Sequence, residues 1–234
     1  MNSVRIAAAV AVAVTAVGTM LIAAPLASAA TPSPAAPPVT SSLSPDAEQQ
    51  MQREIGASKP VIATYNGRQI DLSKGWQGAQ VCAEALNGQV NCFDTQSEAN
   101  AALVNENAAV AKRESAIGKT PGKGAPAQAP TGTNASGDCS FGWICIWEHS
   151  DYSGRRLQWS EKGTKNLSNW GFRDQASSGC VNRYQNGAAL VDFRDFMPDP
   201  IMLMGAGSCY DFTRIGYNYG GGSWNDKADA IEVY

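Results

Sequence analysis

The sequence is poor in the residue types that most catalytic and metal chemistry draws on. It holds one histidine, His149, and charged side chains make up only 17% of its residues. There is no Cys-x-x-Cys and no second imidazole, so a structural zinc site lacks its usual ligands. Lys and Arg number 18 against 21 acids, for a formal net charge of −3, and they are scattered. No basic patch or stripe exists of the kind a nucleic-acid surface requires, and nucleic acid is not an expected partner. Only one long apolar run is present, and it lies at the extreme N-terminus.

That run, Ile6 to Ala24, follows Arg5 and precedes Ala27-Ser28-Ala29, the small-x-small pattern of a cleavage site. We read residues 1–29 as a signal peptide rather than an anchor, because no Lys or Arg follows until Arg53. The mature chain is then expected to be secreted, monomeric and without a membrane segment. Export permits disulfides. The six cysteines, Cys82, Cys92, Cys139, Cys145, Cys180 and Cys209, suggest three bridges, although six allow about 15 pairings. Residues 30–43 and 118–137 are rich in Pro, Ala, Ser, Thr and Gly. Such segments bury too little apolar surface to offset their ordering entropy, so both read as flexible linkers.

Between the linkers, residues 44–117 read as a small α+β module. Ser44-Pro45-Asp46 opens a helix. Extended segments follow at Pro60–Tyr65, Arg68–Leu72, Ala79–Ala85 and Gln89–Phe93. Asn66-Gly67 and Asn87-Gly88 predict two-residue hairpin turns, where both central residues take positive φ. The second lies midway between Cys82 and Cys92, which places these across one hairpin. Their bridge would contribute ~2–3 kcal/mol in a loop-entropy picture, and a module this small needs such a staple. Ser97 to Ala116 reads as helix. The residues give the module no function.

Residues 138–234 differ in character, holding five of the six tryptophans. Short alternating runs broken by Gly, Asn and Asp occur at Trp143–Glu148, Arg156–Ser160, Gly179–Tyr184, Ala188–Phe193 and Ile231–Tyr234. They predict an all-β sandwich or barrel. An internal repeat sharpens this: Phe172-Arg173-Asp174-Gln175-Ala176-Ser177-Ser178 aligns with Trp224-Asn225-Asp226-Lys227-Ala228-Asp229-Ala230. Two similar four-stranded units, packed together, would bury faces that neither could bury alone.

Within the first unit, Trp147-Glu148-x-x-x-Tyr152-x-Gly154 resembles the Greek-key signature of βγ-crystallins. Its glycine permits a folded-over hairpin and its aromatic covers the fold. Cys139-x-x-Gly142-x-x-Cys145 is similar to the N-terminal cysteine loop of a secreted actinobacterial peptidase-inhibitor family whose founding member inhibits metalloproteinases on such a fold. The resemblance covers residues 138–234. It implies a mainly β chain with a βγ-crystallin-like double Greek-key sandwich at the C-terminus, preceded by the small disulfide-stapled α+β module. It also implies that Cys139 and Cys145 close a loop. A Cys180–Cys209 bridge would tether the region upstream of Cys209.

The same resemblance places calcium ligands on the repeats: Asp174 and Ser177 in one site, Asn225 and Asp226 in the other, with Glu148 crossing between them and Asp229 able to supply a further oxygen. Both motifs depart from the family pattern, with Arg173 where Asn or Asp belongs and Asp229-Ala230 where Ser/Thr-Ser belongs, so any calcium would bind weakly and stabilise by linkage. No cofactor is required. Inhibition would need a rigid presented segment, and the candidate contains Met197, Pro198, Ile201, Met202, Leu203, Met204 and Gly205; the alternative is that Ile201 to Met204 form a buried strand. One imidazole in a hairpin loop, paired thiols and no distinct acidic pair assemble no catalytic set, so an enzyme is not expected. Two readings stand. One is a secreted inhibitor of an extracellular protease. The other is a non-inhibitory calcium-binding or cell-surface module, with Trp170, Tyr217, Tyr219 and Trp224 as a conceivable carbohydrate platform.

Overall fold

A computed structural model describes residues 38–117, 139–195 and 198–234. The expected signal peptide and the 118–137 linker fall outside them. The second half of the chain forms two units of four strands. The first contains β6 (Ile144–His149), β7 (Ser153–Trp159), β8 (Gly163–Asn166) and β9 (Ser178–Val181). The second contains β10 (Ala188–Val191), β11 (Pro200–Met204), β12 (Ser208–Asp211) and β13 (Ala230–Val233). Each unit gives its third strand to the other: β8 pairs with β13, and β12 pairs with β9. Neither sheet is therefore complete without the partner unit. The repeat sequences cross at the seam between them. Asp174 N donates to Ala228 O at 3.0 Å while Asp226 N donates to Ala176 O at 3.1 Å, a reciprocal exchange.

The middle segment does not stand apart. Its strands β2 (Ile62–Tyr65), β3 (Arg68–Asp71), β4 (Val81–Glu84) and β5 (Val90–Phe93) continue the sheet of the first unit, in the order β12-β9-β6-β7-β4-β5-β2-β3. The join is a parallel pairing of β4 with β7, in which Val81 lies opposite Arg156. Trp76 packs on Phe172 and donates from Nε1 to Trp170 O at 2.7 Å. Lys165 pairs with Glu84 at 2.5 Å. The expected boundary between two modules is thus bridged by a continuous core. It includes Leu72, Trp76 and Cys82 on one side and Ile146, Trp159 and Phe172 on the other.

Three tight turns explain part of this continuity. Asp71-Leu72-Ser73, Asn166-Leu167-Ser168 and Asp211-Phe212-Thr213 each follow a four-residue strand, β3, β8 and β12. In each, the first side chain accepts from the backbone N–H two residues on, at 3.0–3.1 Å. Such a side-chain-closed turn buries the apolar residue in its centre, and Leu72, Leu167 and Phe212 are all fully buried. The middle segment repeats a fragment of the C-terminal units.

Helices close the remaining surfaces. α1 (Pro45–Ala57) is capped by the Ser44 hydroxyl and carries Pro45 in its first turn. It seats Met51 against Val191, Ile201 and Ala230. The single helix expected over 97–116 is divided at Leu103 into α2 (Gln96–Ala102) and α3 (Val104–Ile117). Val110 of α3 packs on Trp143, Trp147 and the cysteines Cys139, Cys145 and Cys180.

Two further expectations need correction. Residues 39–42 of the supposed spacer form a strand, β1 (Val39–Ser42), antiparallel to β11 with Val39 opposite Leu203. Its sequence, Val-Thr-Ser-Ser, carries no apolar face, but an edge strand needs only backbone pairing. The second hairpin turn also differs. Asn66 and Gly67 both have positive φ, whereas at Asn87-Gly88 only the glycine does. Gly88 N closes on Ala85 O at 2.8 Å, and Asn87 Oδ1 instead accepts from Gln89 N at 3.0 Å. The Cys82–Cys92 bridge forms across this hairpin, with Cys139–Cys145 and Cys180–Cys209 completing the set.

Because Trp76 links the segments, Trp76→Ala should cost about 3–5 kcal/mol. Denaturant unfolding of the wild type should show one cooperative transition. Two separated transitions, with the second unaffected by the substitution, would contradict a shared core.

Candidate functional site

The β6–β7 hairpin holds the residues that first suggest an active site. Trp147 and Tyr152 meet edge to face at 5.5 Å, as the folded-over hairpin requires. Gly154 has φ +78°, and a Cβ there would lie 2.7 Å from the His149 ring. The exposed imidazole lies over the glycine and forms part of the hairpin's cover.

This hairpin forms one wall of a cleft of about 550 Å³ lined by Glu148, His149, Ser150, Asp174, Gln175, Ser177, Asn225 and Asp226. Five of the six predicted calcium residues therefore meet at one place. Their oxygens are partly engaged already. Ser177 Oγ donates to Glu148 O at 2.7 Å and lies 3.3 Å from Asp226 Oδ1, and Asn225 Nδ2 donates to Asp226 Oδ2 at 2.6 Å. The Glu148 carboxylate faces Arg155, which donates to it from Nε and Nη2, both at 2.9 Å. That guanidinium holds the Glu148 carboxyl below the usual range despite partial burial, and stacks over Trp76 and Phe172. Among the described residues, no three His, Cys, Asp or Glu side chains are grouped to hold a metal ion. A cation here would draw on Asp226 together with the Ser177 hydroxyl and the Glu148 carbonyl.

Asp229, the sixth candidate, is elsewhere. Its carboxyl is 1% exposed, accepts from Phe193 N through Oδ2, and pairs with Arg173. Burial pushes its pKa up to about 7, against the opposing hydrogen bond from Phe193 and the charge of Arg173. Arg173 is half exposed, so solvent screens its charge more than it does the carboxylate.

Asp229 belongs to a set of carboxyls around the connection between β10 and β11. Asp199, also 1% exposed, accepts from Arg194 N through Oδ1 at 2.8 Å, and burial raises its pKa. Asp192 accepts from the Tyr217 hydroxyl, and Arg194 lies over Tyr219. Consecutive amides, Phe193 and Arg194, are thus held by separate buried side chains, and Asp195 and Pro198 project beyond them into solvent. The predicted inhibitory segment divides accordingly. Pro198 and Gly205 are exposed, and Met197 lies outside the described residues. Ile201, Met202 and Met204 are buried in β11 and Leu203 is half-buried, so these four are not an exposed loop. Alternating apolar residues of a strand between two neighbours face the core and the overlying helix α1 by turns. The carbohydrate platform also fails, because Trp170, Tyr217 and Trp224 are buried. Asp229 reaches Phe193 N only through the fold, whereas Asp199 closes on Arg194 N within the same connection.

Comparison with known families bears on this arrangement. Residues 132–190 match the model of peptidase inhibitor family I36. No curated protein and no solved structure matches the chain. The I36 match spans the cysteine loop 139–145, the first four-stranded unit and the start of β10; the middle segment lies outside it. It supports a peptidase-inhibitor-like function and implies a protease as partner. Among the described residues no helix is long and apolar enough to cross a membrane.

The raised Asp229 pKa fixes a sign. A carboxyl near 4 when unfolded and about 7 when folded contributes stability that is fully present below pH 4 and lost as pH rises through 7. The melting temperature should therefore fall between pH 5 and 8 in the wild type. Asp229→Asn keeps an acceptor for Phe193 N and should flatten that slope, as thermal melts at each pH would show.

Proposed function

We propose that the protein is a secreted peptidase inhibitor that presents the β10–β11 connection, residues 193–199, to an extracellular protease. The I36 match supports the class of activity. The observation that carries the site is the fixing of Phe193 N and Arg194 N by the buried Asp229 and Asp199. Residues held before binding, here Phe193, Arg194 and Asp199, lose less conformational entropy when a protease takes them up, which lowers the cost of association. Three disulfides suit an oxidising compartment. The exchange of third strands between units supports a βγ-crystallin-like frame. Inhibition, on this reading, comes from the projecting edge of the connection rather than from the buried Ile201–Met204. The mature protein titrated against a thermolysin-like metallopeptidase and a serine peptidase should inhibit at least one stoichiometrically. Met197→Glu and Pro198→Gly should each weaken that inhibition tenfold or more, with unchanged melting temperature. Full potency in both variants would remove the connection as the site.

A second reading rests on the cleft. The meeting of Glu148, Asp174, Ser177, Asn225 and Asp226 supports weak calcium binding as a stabilising contribution. Millimolar calcium should raise the melting temperature and chelator should reverse it, with the effect lost in Asp226→Ala. A melting temperature indifferent to calcium would end this reading without touching the inhibitory one.

A further inference from the structure

The N-terminal segment 39–58, outside the I36 match, crosses one sheet from edge to edge. At one edge β1 pairs with β11. At the other, Thr164 Oγ1 donates to Glu54 Oε2 at 2.6 Å, and Asn169 Nδ2 donates to Ser58 Oγ at 2.7 Å. Between these points α1 buries only Met51. A helix with so small an apolar footprint gains little from packing. Two of its polar side chains, Glu48 and Gln52, however, converge on one residue directly before β11.

That residue is Asp199. Leu43 N donates to its carbonyl at 2.9 Å. Its own N–H donates to Glu48 Oε2 at 3.3 Å, and Gln52 Nε2 donates to its Oδ2 at 3.3 Å. The other carboxylate oxygen, Oδ1, accepts from Arg194 N. One side chain thus joins the helix to the β10–β11 connection, with its two oxygens divided between them. Its burial leaves no water to replace either partner, so shifting one shifts the other.

We propose that α1 positions the β10–β11 connection through Asp199, with Glu48 and Gln52 as positioning residues for inhibitory binding. The proposal rests on the inhibitory reading for its functional part. Its structural part stands on the hydrogen bonds alone. Neither Glu48 nor Gln52 lies in the connection itself, and neither is fully buried, so their replacement leaves the core intact.

The test uses the full mature chain and the double variant Glu48→Ala/Gln52→Ala. Amide hydrogen exchange at Arg194 and Asp199 should accelerate tenfold or more, with the amides of β10 and β13 unchanged. The inhibition constant for a peptidase that the wild type inhibits should weaken by a similar factor. Glu48→Gln alone keeps an acceptor for Asp199 N and should behave as wild type. Unchanged exchange at Arg194 and Asp199 would overturn the proposal. So would acceleration shared by every slow amide, which would mark general destabilisation instead. A wild type that inhibits no peptidase would sink the inhibitory reading, while the exchange rates would still decide whether α1 fixes the connection.

Discussion

Each four-stranded unit lacks one strand of its own sheet and takes it from its neighbour, and the rest of the molecule depends on that exchange. With β8 held by β13 and β12 held by β9, the repeat segments are brought together at a seam where Asp174 and Asp226 exchange backbone hydrogen bonds with Ala228 and Ala176. The cleft exists because of this crossing: residues some fifty positions apart in sequence line one hollow. The same crossing buries Asp229, since the position equivalent to Ser177 in the second repeat faces the β10–β11 connection instead of the cleft.

The middle segment and the N-terminal strap then complete edges that the exchange leaves open. β4 covers β7, and β1 covers β11. Unpaired edges invite association with other chains, and each addition moves the edge outward to a four-residue strand, β1 or β3. The sheet that receives β4 continues to β3, a four-residue edge strand with two charged ends, Arg68 and Asp71.

Much of the architecture was readable from the residues. Trp147, Tyr152 and Gly154 marked a folded hairpin, the paired Asp-x-Ala segments marked a repeat, and Cys82 with Cys92 marked a bridged hairpin. Strands β8 and β12 were not visible, because Gly163-Thr-Lys-Asn and Ser208-Cys-Tyr-Asp carry little apolar alternation. Their stability comes from a partner in the other unit, which no local window records. A signal for their ends did exist: acid or amide, apolar, then Ser or Thr, at residues 71–73, 166–168 and 211–213. The candidate site divided similarly. Cleft residues lay in a motif and were found, whereas Asp199 owes its role to tertiary burial, and the methionines of β11 had an apolar pattern suited equally to a loop anchor and a strand.

The pairing of Val39 with Leu203 has a consequence for how the chain is made. It joins the first described strand to one far along the chain, so its formation closes a loop that runs from residue 39 to residue 203. During synthesis β1 is made before every other described strand and waits for its partner until β2 to β10 have followed. Contacts of such separation form late. The covering of the β11 edge therefore belongs to the late steps of folding.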